Sequence, residues 1–288
     1  MGLVSVALDM KGSETHSPAL NLLASQRPLI IAHRGYCQFA PENTLPSFKR
    51  AIAAGADLVE LDYHSAKDGK LVVIHDEELD RTTDAAKRWS RKHIMVETKT
   101  AAEIQSLDAG SWFDLKYAGT RIPLLAEALD TIQAESVTLI ERKSGAPTDC
   151  LKLLREKGLI NRVIVQSFDW EYLRAFREQE PGQILGALGP PELLAGGEKP
   201  LGIQEKLNAA WLGELQKTGA RVAVWSRKVS REAVQLAHQR SLKVWVYTID
   251  DPALANELLD IGIDGIITND TSLIRNTIAL RGQKARQP

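Results

Sequence analysis

Eight short apolar runs recur along the chain, and segments with helical periodicity alternate with them. The runs cover 29–33, 58–62, 137–141, 163–166, 184–188, 222–225, 244–248 and 263–268. Continuous apolar runs of this length, rich in β-branched residues, are typical of parallel strands that are buried on both faces. Eight strand–helix units around a closed sheet form a (β/α)8 barrel, or TIM barrel, and we predict this α/β fold for the chain.

An open, doubly wound sheet is the competing arrangement. Such a sheet usually carries a glycine-rich phosphate loop after an early strand, and no G-x-G-x-x-G pattern occurs in the sequence. The 288 residues also agree with one barrel, because barrels of about 250 residues are common. We therefore predict an N-terminal arm over residues 1–27 and a single barrel domain over 28–288.

A further strand-like run, 71–75, breaks the alternation. It follows the second strand after only Lys-Asp-Gly-Lys at 67–70, which is too short for a parallel crossover. An Asp-Gly pair between two apolar runs favours a hairpin instead. Reflecting the numbering about Asp68 and Gly69 pairs Asp62 with His75. The sequence thus predicts a β-hairpin extension of strand two that brings His75 level with Asp62.

Residues 78–123 form a long excursion before the next helix, with one helical pattern near 101–107. We predict a small insertion before strand three that lies over one side of the barrel mouth. The segment is too short to be expected to bury a core of its own.

The composition excludes several classes of function. The chain has 36 basic and 37 acidic residues, a net charge of −1, which does not favour binding to nucleic acid or to an anionic membrane. It has no apolar stretch of about 18 residues, so stable membrane insertion is not expected. Asp9 and Lys11 interrupt the first apolar run, which argues against a signal peptide.

The two cysteines, Cys37 and Cys150, lack the spacing of a metal site and favour free thiols in a cytoplasmic protein. The oligomeric state stays open.

Ionisable residues cluster where the predicted strands end, which is where barrel active sites lie. Glu60 and Asp62 are two residues apart on one strand and share a face, and Glu141 ends the third strand. Three carboxylates suit one hard divalent cation, Mg²⁺ or Ca²⁺, with Mn²⁺ as a further possibility. The alternative for each carboxylate is an ion pair with Arg34 or Lys143.

Two histidines, His33 and His75, also occupy strand ends. Because imidazole titrates near neutral pH, they fit a general acid and a general base. They are alternatively metal ligands, although hard ions prefer oxygen. Arg34 and Lys143 add positive charge at the same mouth and, with a cation, describe a pocket for a phosphate oxygen.

The order of these motifs resembles that of the glycerophosphodiester phosphodiesterase family. The resemblance covers about residues 29–270 and is carried by His33-Arg34-Gly35, Pro41-Glu42-Asn43-Thr44, Glu60-x-Asp62, His75-Asp76 and Glu141-x-Lys143. It implies a TIM barrel and metal-dependent hydrolysis of glycerophosphodiesters, such as glycerophosphocholine or glycerophosphoethanolamine, to sn-glycerol 3-phosphate and an alcohol.

The resemblance also implies roles for individual residues. It implies that Glu60, Asp62 and Glu141 hold the metal. His33 and His75 would be the acid–base pair, and Arg34 and Lys143 would contact the phosphate. Glu42 and Asn43 are expected to support the rim loop, and Tyr247 to contact the substrate. For Trp225 we predict a substrate contact, with simple packing as the alternative. Tyr247 stands where the family often has Trp, which leaves the leaving alcohol open.

Two other functions remain compatible with these residues. A related barrel phosphodiesterase would act on lysophospholipid or phosphoinositide. A catalytically silent scaffold would bind the ligand without turning it over, although every ionisable residue that the resemblance requires is present.

Overall fold

The strands are short and lie where the apolar runs predict them. The computed structural model describes residues 17–202 and 204–284. Within these residues the strands are β1 (Leu29–Ala32), β2 (Leu58–Ser65), β3 (Leu71–Val73), β4 (Val137–Arg142), β5 (Ile164–Ser167), β6 (Ile184–Gly189), β7 (Val222–Ser226), β8 (Lys243–Tyr247) and β9 (Gly265–Thr268).

Helices connect the strands and cover the outside of the sheet. They are α1 (Pro18–Leu23), α2 (Leu45–Ala53), α3 (Ala85–Arg88), α4 (Ala101–Gln105), α5 (Leu125–Gln133), α6 (Pro147–Glu156), α7 (Trp170–Gln179), α8 (Ala209–Gln216), α9 (Arg231–Gln239), α10 (Pro252–Asp260) and α11 (Thr271–Lys284). Short 3₁₀ turns occur at Val96–Thr98 and Leu115–Tyr117.

The sheet closes on itself. The parallel ring runs β1, β2, β4, β5, β6, β7, β8 and β9, and β1 completes it by pairing with both β2 and β9. In this register Ile31 lies beside Leu58 on one side and Ile267 on the other. The predicted (β/α)8 barrel is therefore confirmed, with β3 as an antiparallel extension of β2.

Alternate strand residues fill the inside of the barrel. One apolar cluster contains Leu29, Ile31, Leu58, Val137, Leu139, Ile164, Ile184, Leu188, Val222, Val224, Trp245 and Ile267. Because side chains two apart on a strand share a face, the inward position of Leu58 also places Glu60 and Asp62 inside.

The first helix, α1, plugs the end of the barrel opposite the predicted site. Its Ala19 and Leu23 join the interior cluster. The predicted arm over 1–27 is thus a packed element from residue 18 onward, while residues 1–16 lie outside the described residues. Both cysteines are free.

The hairpin forms, but its register differs from the prediction by one residue. Tyr63 pairs with Val73, and Ser65 pairs with Leu71, so the predicted pairing of Asp62 with His75 is wrong. The turn has three residues instead of two: the backbone N–H of Ala66 donates to Lys70 O at 2.9 Å, and Gly69 has a φ of +75°. This is a three-residue hairpin turn closed by a left-handed glycine.

The insertion shares an apolar cluster with the hairpin and does not bury a core by itself. Its Leu79, Ile94 and Ile104 pack with Val72 and Ile74 of the hairpin arm. The hairpin supplies the apolar surface that the insertion lacks by itself.

No helix in 17–202 or 204–284 is long and apolar enough to cross a bilayer.

Candidate active site

One cavity at the C-terminal end of the strands gathers most of the predicted site residues. It has a volume of about 260 Å³. The predicted residues that line it are His33, Arg34, Glu60, Asp62, His75, Glu141, Lys143 and Tyr247. The residues come from four strands and the hairpin, so only the closed barrel brings them together.

The three carboxylates lie at the floor of this cavity. Glu60 and Asp62 are each 1% exposed, and Glu141 lies beside Asp62 in the sheet register. One oxygen from each residue lies within 4.8 Å of the others. Burial and the neighbouring carboxylates raise the pKa of Glu60 well above its usual value and that of Glu141 to about 7. The group therefore favours a bound positive charge.

Two basic side chains already compensate part of the negative charge of these carboxylates. Lys143 Nζ lies 3.3 Å from Asp62 Oδ1 and also contacts Glu141, and Arg34 Nε lies 3.5 Å from Asp62 Oδ2. Burial opposes ionisation of Asp62, yet the charges of Lys143 and Arg34 prevail and lower its pKa to about 2. The ion-pair alternative thus applies to Asp62 and Glu141, but it does not account for Glu60.

Glu60 keeps one oxygen without a partner. Its Oε2 accepts a hydrogen bond of 2.7 Å from the backbone N–H of Arg34, while Oε1 is buried with no hydrogen-bond partner among the described residues. A buried, unpaired carboxylate oxygen is costly. An all-oxygen set with such an atom fits a hard divalent cation.

The turn after β1 holds Arg34 against this floor. Arg34 and Gly35 both have positive φ angles, 53° and 78°. A Cβ at position 35 would lie 2.4 Å from Ser47 Oγ and 2.7 Å from the Ser47 carbonyl carbon, so only glycine fits. This local geometry points the Arg34 N–H at Glu60 and explains why glycine follows Arg34.

Asn43 is buried and fixes Asp62 from the rim loop. Its Nδ2 donates to Asp62 Oδ2 at 2.8 Å, and its Oδ1 accepts from the Asp62 backbone N–H at 3.1 Å. Glu42 lies between two arginines: it accepts from Arg34 at 2.8 Å and from Arg81 at 2.8 and 2.9 Å. The structure thus places both predicted supporting residues next to the site residues.

His75 is held through the same network. Its Nδ1 lies 2.7 Å from Asp76 Oδ1, and Arg81 donates to both oxygens of Asp76. Burial lowers the pKa of His75 despite the charge of Asp62, which opposes this. Asp76 and Arg81 were not among the predicted site residues. The position of Asp76 directly after His75 was a signal that could have found it, whereas no such signal in the sequence pointed to Arg81.

His33 contacts a residue that the sequence did not reveal as functional. Its Nδ1 lies 2.7 Å from Oδ1 of Asn269, just after β9. Burial and the charge of Arg34 lower the pKa of His33 to about 4. The position of Asn269 directly after the last strand is the signal that would have found it, because all barrel strand ends face one mouth.

Trp225 is not brought to the cavity, which corrects its assignment as a substrate contact. Its side chain is fully buried in the layer between strands and helices, tilted against Trp211 at a centroid distance of 6.1 Å. Its indole N–H donates to Glu205 O at 2.8 Å. On β7 the residues that face inward are Val222 and Val224.

The five lining residues that were not predicted are Gln166, Phe168, Leu188, Thr248 and Ile267. Gln166 is 1% exposed, and its Nε2 lies 3.5 Å from Glu141 Oε2. Phe168 packs edge-on against Tyr247, with ring centroids 6.0 Å apart. Phe168 also borders an adjoining cavity of about 360 Å³, whose other lining residues include Glu77 and Glu192.

A larger cavity, of about 510 Å³, lies at the opposite end of the barrel. Its charged groups are paired: Asp264 accepts from His238 Nε2 at 2.8 Å and from Lys243 Nζ at 2.9 Å, and Arg27 pairs with Asp57. The cavity lies at the N-terminal ends of the strands, where barrel residues usually serve stability. We therefore place the active site at the other mouth.

Comparison with known sequences points to one family. The sequence model of the glycerophosphoryl diester phosphodiesterase family matches residues 33–273. The glycerophosphodiester phosphodiesterase of Caldanaerobacter subterraneus subsp. tengcongensis is 33% identical over 263 residues, which cover 89% of this chain and 100% of the relative. The enzyme of that name from Bacillus subtilis is 32% identical over 268 residues, 86% of each chain.

Solved structures agree with the sequence comparison. An Oleispira antarctica phosphodiesterase in complex with the product sn-glycerol-3-phosphate has a TM-score of 0.76 and 26% identity, covering 89% of this chain and 99% of that chain. A glycerophosphodiester phosphodiesterase from Agrobacterium tumefaciens has a TM-score of 0.71 and 26% identity, covering 86% of this chain and 99% of that chain.

Proposed function

The chain belongs to the glycerophosphoryl diester phosphodiesterase family, and we propose that it hydrolyses small glycerophosphodiesters to sn-glycerol 3-phosphate and an alcohol with the help of one divalent cation. The observation that carries this proposal is that two histidines, the basic side chains of Arg34 and Lys143, and three buried carboxylates all line one cavity. The product named for the Oleispira antarctica structure supports the choice of substrate class.

Glu60, Asp62 and Glu141 would hold the cation, Mg²⁺ or Ca²⁺ by the preference of such ions for carboxylate oxygen, with Mn²⁺ also acceptable. When bound, it would supply charge stabilisation for a phosphate oxygen. Arg34 and Lys143 line the same cavity, and their positive charges would orient the phosphate and offset the negative charge that develops during the reaction.

The two imidazoles would move the protons. One accepts a proton from the attacking hydroxyl as its oxygen forms the new bond to phosphorus. The other donates a proton to the alcohol oxygen as its bond to phosphorus breaks. The attacking group is a water or the 2-hydroxyl of the glycerol; in the second case a cyclic phosphate forms and water opens it. His33 and His75 both line the cavity that contains the carboxylates and fit these two tasks.

The adjoining cavity suggests what the alcohol is. The Glu77 and Glu192 carboxylates at its wall form no ion pair with the described residues, and Phe168 presents an aromatic ring. Arg142 and Lys143 also line this cavity, but each already forms ion pairs with carboxylates. The two unpaired carboxylates and the aromatic face would therefore attract an ammonium group. This supports glycerophosphocholine and glycerophosphoethanolamine over diesters with an uncharged alcohol.

The free thiols of Cys37 and Cys150 support a reducing compartment such as the cytoplasm, which we propose as the location.

A substrate panel tests the proposal. The full-length protein with Mg²⁺, Ca²⁺ or Mn²⁺ is incubated with glycerophosphocholine, glycerophosphoethanolamine, lysophosphatidylcholine and phosphatidylinositol. Released sn-glycerol 3-phosphate is measured enzymatically for the first two, released choline for lysophosphatidylcholine and released inositol phosphate for phosphatidylinositol. We expect sn-glycerol 3-phosphate from the first two substrates. Turnover of the lipids alone would favour the lipid-directed alternative, and binding of sn-glycerol 3-phosphate without any turnover would favour a silent scaffold.

Variants test the proton-transfer roles. His33→Ala and His75→Ala should each lower kcat by about 10²–10⁴-fold while the circular dichroism spectrum and Tm stay near those of the wild type. The matched control is His238→Ala, because His238 pairs with Asp264 at the far end of the barrel. Near-normal turnover by His75→Ala would refute its role.

A further inference from the structure

We propose that Asp250 and Asn269 are positioning residues that hold His33 in the tautomer with its proton on Nδ1, so that Nε2 is free to accept a proton in the cavity. The proposal rests on the proposed function only in giving His33 the task of proton acceptor. Asp250 lies after β8 and Asn269 after β9, so two neighbouring strand ends supply the pair.

The orientation of the Asn269 amide follows from its contact with Asp250. Asn269 Nδ2 donates to Asp250 Oδ2 at 2.7 Å, and the Asn269 backbone N–H donates to Asp250 Oδ1 at 2.7 Å. The Thr268 hydroxyl donates to the same Oδ1 at 2.9 Å. An ionised carboxylate only accepts hydrogen bonds, so the amide must present its NH₂ group to Asp250 and its oxygen to the other side.

That oxygen faces His33. Asn269 Oδ1 lies 2.7 Å from His33 Nδ1, and the Cys37 thiol donates to the same oxygen at 2.9 Å. Because an amide oxygen cannot donate, the proton of this contact must belong to Nδ1. The hydrogen bond at one ring nitrogen fixes the state of the other.

The remaining nitrogen is therefore the reactive one. His33 Nε2 makes no hydrogen bond to the residues that the structure describes, and the ring lines the cavity. A lone pair on Nε2 is what a general base needs. Without the Asp250 contact, the Asn269 amide would be free to turn its NH₂ group toward Nδ1, which would leave the proton on Nε2 and block proton acceptance.

The test reads the tautomer directly. Full-length protein labelled with ¹⁵N-histidine is examined by long-range ¹H–¹⁵N NMR, without substrate, in EDTA and again in Mg²⁺. Wild-type His33 should show a single Nδ1–H tautomer. Asn269→Ala, and independently Asp250→Asn, should give a tautomer mixture at His33 and lower kcat on the order of tenfold or more, with KM changed by less than about twofold because neither residue contacts the substrate.

The matched control is Asp270→Asn. Asp270 follows Asn269 directly, accepts from the Tyr36 hydroxyl at 2.8 Å and caps the Leu273 N–H at 3.0 Å, a capping role that asparagine keeps. The His33 NMR signals of the Asp270→Asn variant should match those of the wild type.

A wild-type His33 with its proton on Nε2 would overturn the proposal. So would an unchanged Nδ1–H tautomer in both Asn269→Ala and Asp250→Asn. If one of these variants fails to fold, the other carries the test. A wild-type protein that shows the expected tautomer but hydrolyses no glycerophosphodiester would refute the proposed function alone, because the tautomer is measured without turnover.

Discussion

His33 is the residue whose charge state the surrounding structure controls most clearly. Burial and the Arg34 charge lower its pKa to about 4, so the imidazole should stay neutral down to about pH 5 in the metal-free protein. An NMR titration of its ring carbons after EDTA treatment checks this. A midpoint near the ordinary value of about 6.5 would contradict it.

The same shift has a consequence for stability. The unfolded chain takes up the His33 proton near pH 6.5, whereas the folded protein does so only near pH 4. Unfolding therefore becomes easier as the pH falls from about 6.5 towards 4, because the unfolded state binds more protons in that window.

Trp225 supplies a residue-scale test of the correction made by the structure. Trp225→Phe should lower the free energy of unfolding by about 1–3 kcal/mol, because it leaves a cavity and removes the hydrogen bond to Glu205, and KM should change by less than about twofold. Denaturant unfolding and steady-state kinetics measure the two effects. A large rise in KM at unchanged stability would restore the substrate contact.

The exposed carboxylates Glu77 and Glu192 give a test of substrate choice. Each charge within about 4 Å of an ammonium group in water contributes about 1 kcal/mol, or about fivefold in kcat/KM. Glu77→Gln and Glu192→Gln should each lower the ratio of kcat/KM for glycerophosphocholine over glycerophosphoglycerol by about this factor.

The control for these two variants is Glu135→Gln, an exposed carboxylate before β4 at the other end of the barrel, which should leave the ratio unchanged. Equal losses for both substrates in Glu77→Gln and Glu192→Gln would mean that the carboxylates do not select the alcohol.

At the scale of elements, the hairpin shows where sequence patterns stop being decisive. Lys67-Asp68-Gly69-Lys70 predicts a turn through its Asp-Gly pair, and the turn is there. The same four residues fit both a two-residue turn and the observed three-residue turn with its left-handed Gly69. These turns differ by one residue in register, so composition alone does not choose between them.

Gly69 allows that turn to be tested. A Cβ at position 69 meets no atom within 4 Å, so Gly69→Ala should cost only the strain of a positive φ, about 1–2 kcal/mol of unfolding free energy. Gly282→Ala, at an exposed position of the last helix with equally open space, should be neutral or stabilising by up to about 1 kcal/mol. Equal effects in chemical denaturation would contradict the turn geometry.

Some of the site residues could likewise be predicted from the sequence, and others could not. Glu60 and Asp62 were predictable because charged residues alternating with apolar ones on a strand reveal which face is special. On β7 residues 222–225 are apolar on both faces of the strand, so the sequence contains no sign that Trp225 faces outward. Asn269 escaped prediction because its role depends on Asp250, which lies 19 residues earlier and is brought near only by barrel closure.

At the scale of the whole molecule, the fold was predictable because eight buried runs with helical segments between them have few closed solutions. Periodicity could not show which elements cover the two ends of the barrel. Helix α1 closes one end by adding Ala19 and Leu23 to the interior cluster. At the other end the hairpin and the insertion share an apolar cluster, which fixes the wall that carries His75.

The measurement that bears most directly on the central claim is release of sn-glycerol 3-phosphate from glycerophosphocholine by the full-length protein, first in EDTA and then with Mg²⁺, Ca²⁺ or Mn²⁺ restored. Activity should vanish with the chelator and return with at least one ion. Glu60→Gln should need a much higher ion concentration, because one of three carboxylate ligands has lost its charge. Full activity in EDTA, or none with any ion, would contradict a metal-dependent glycerophosphodiesterase.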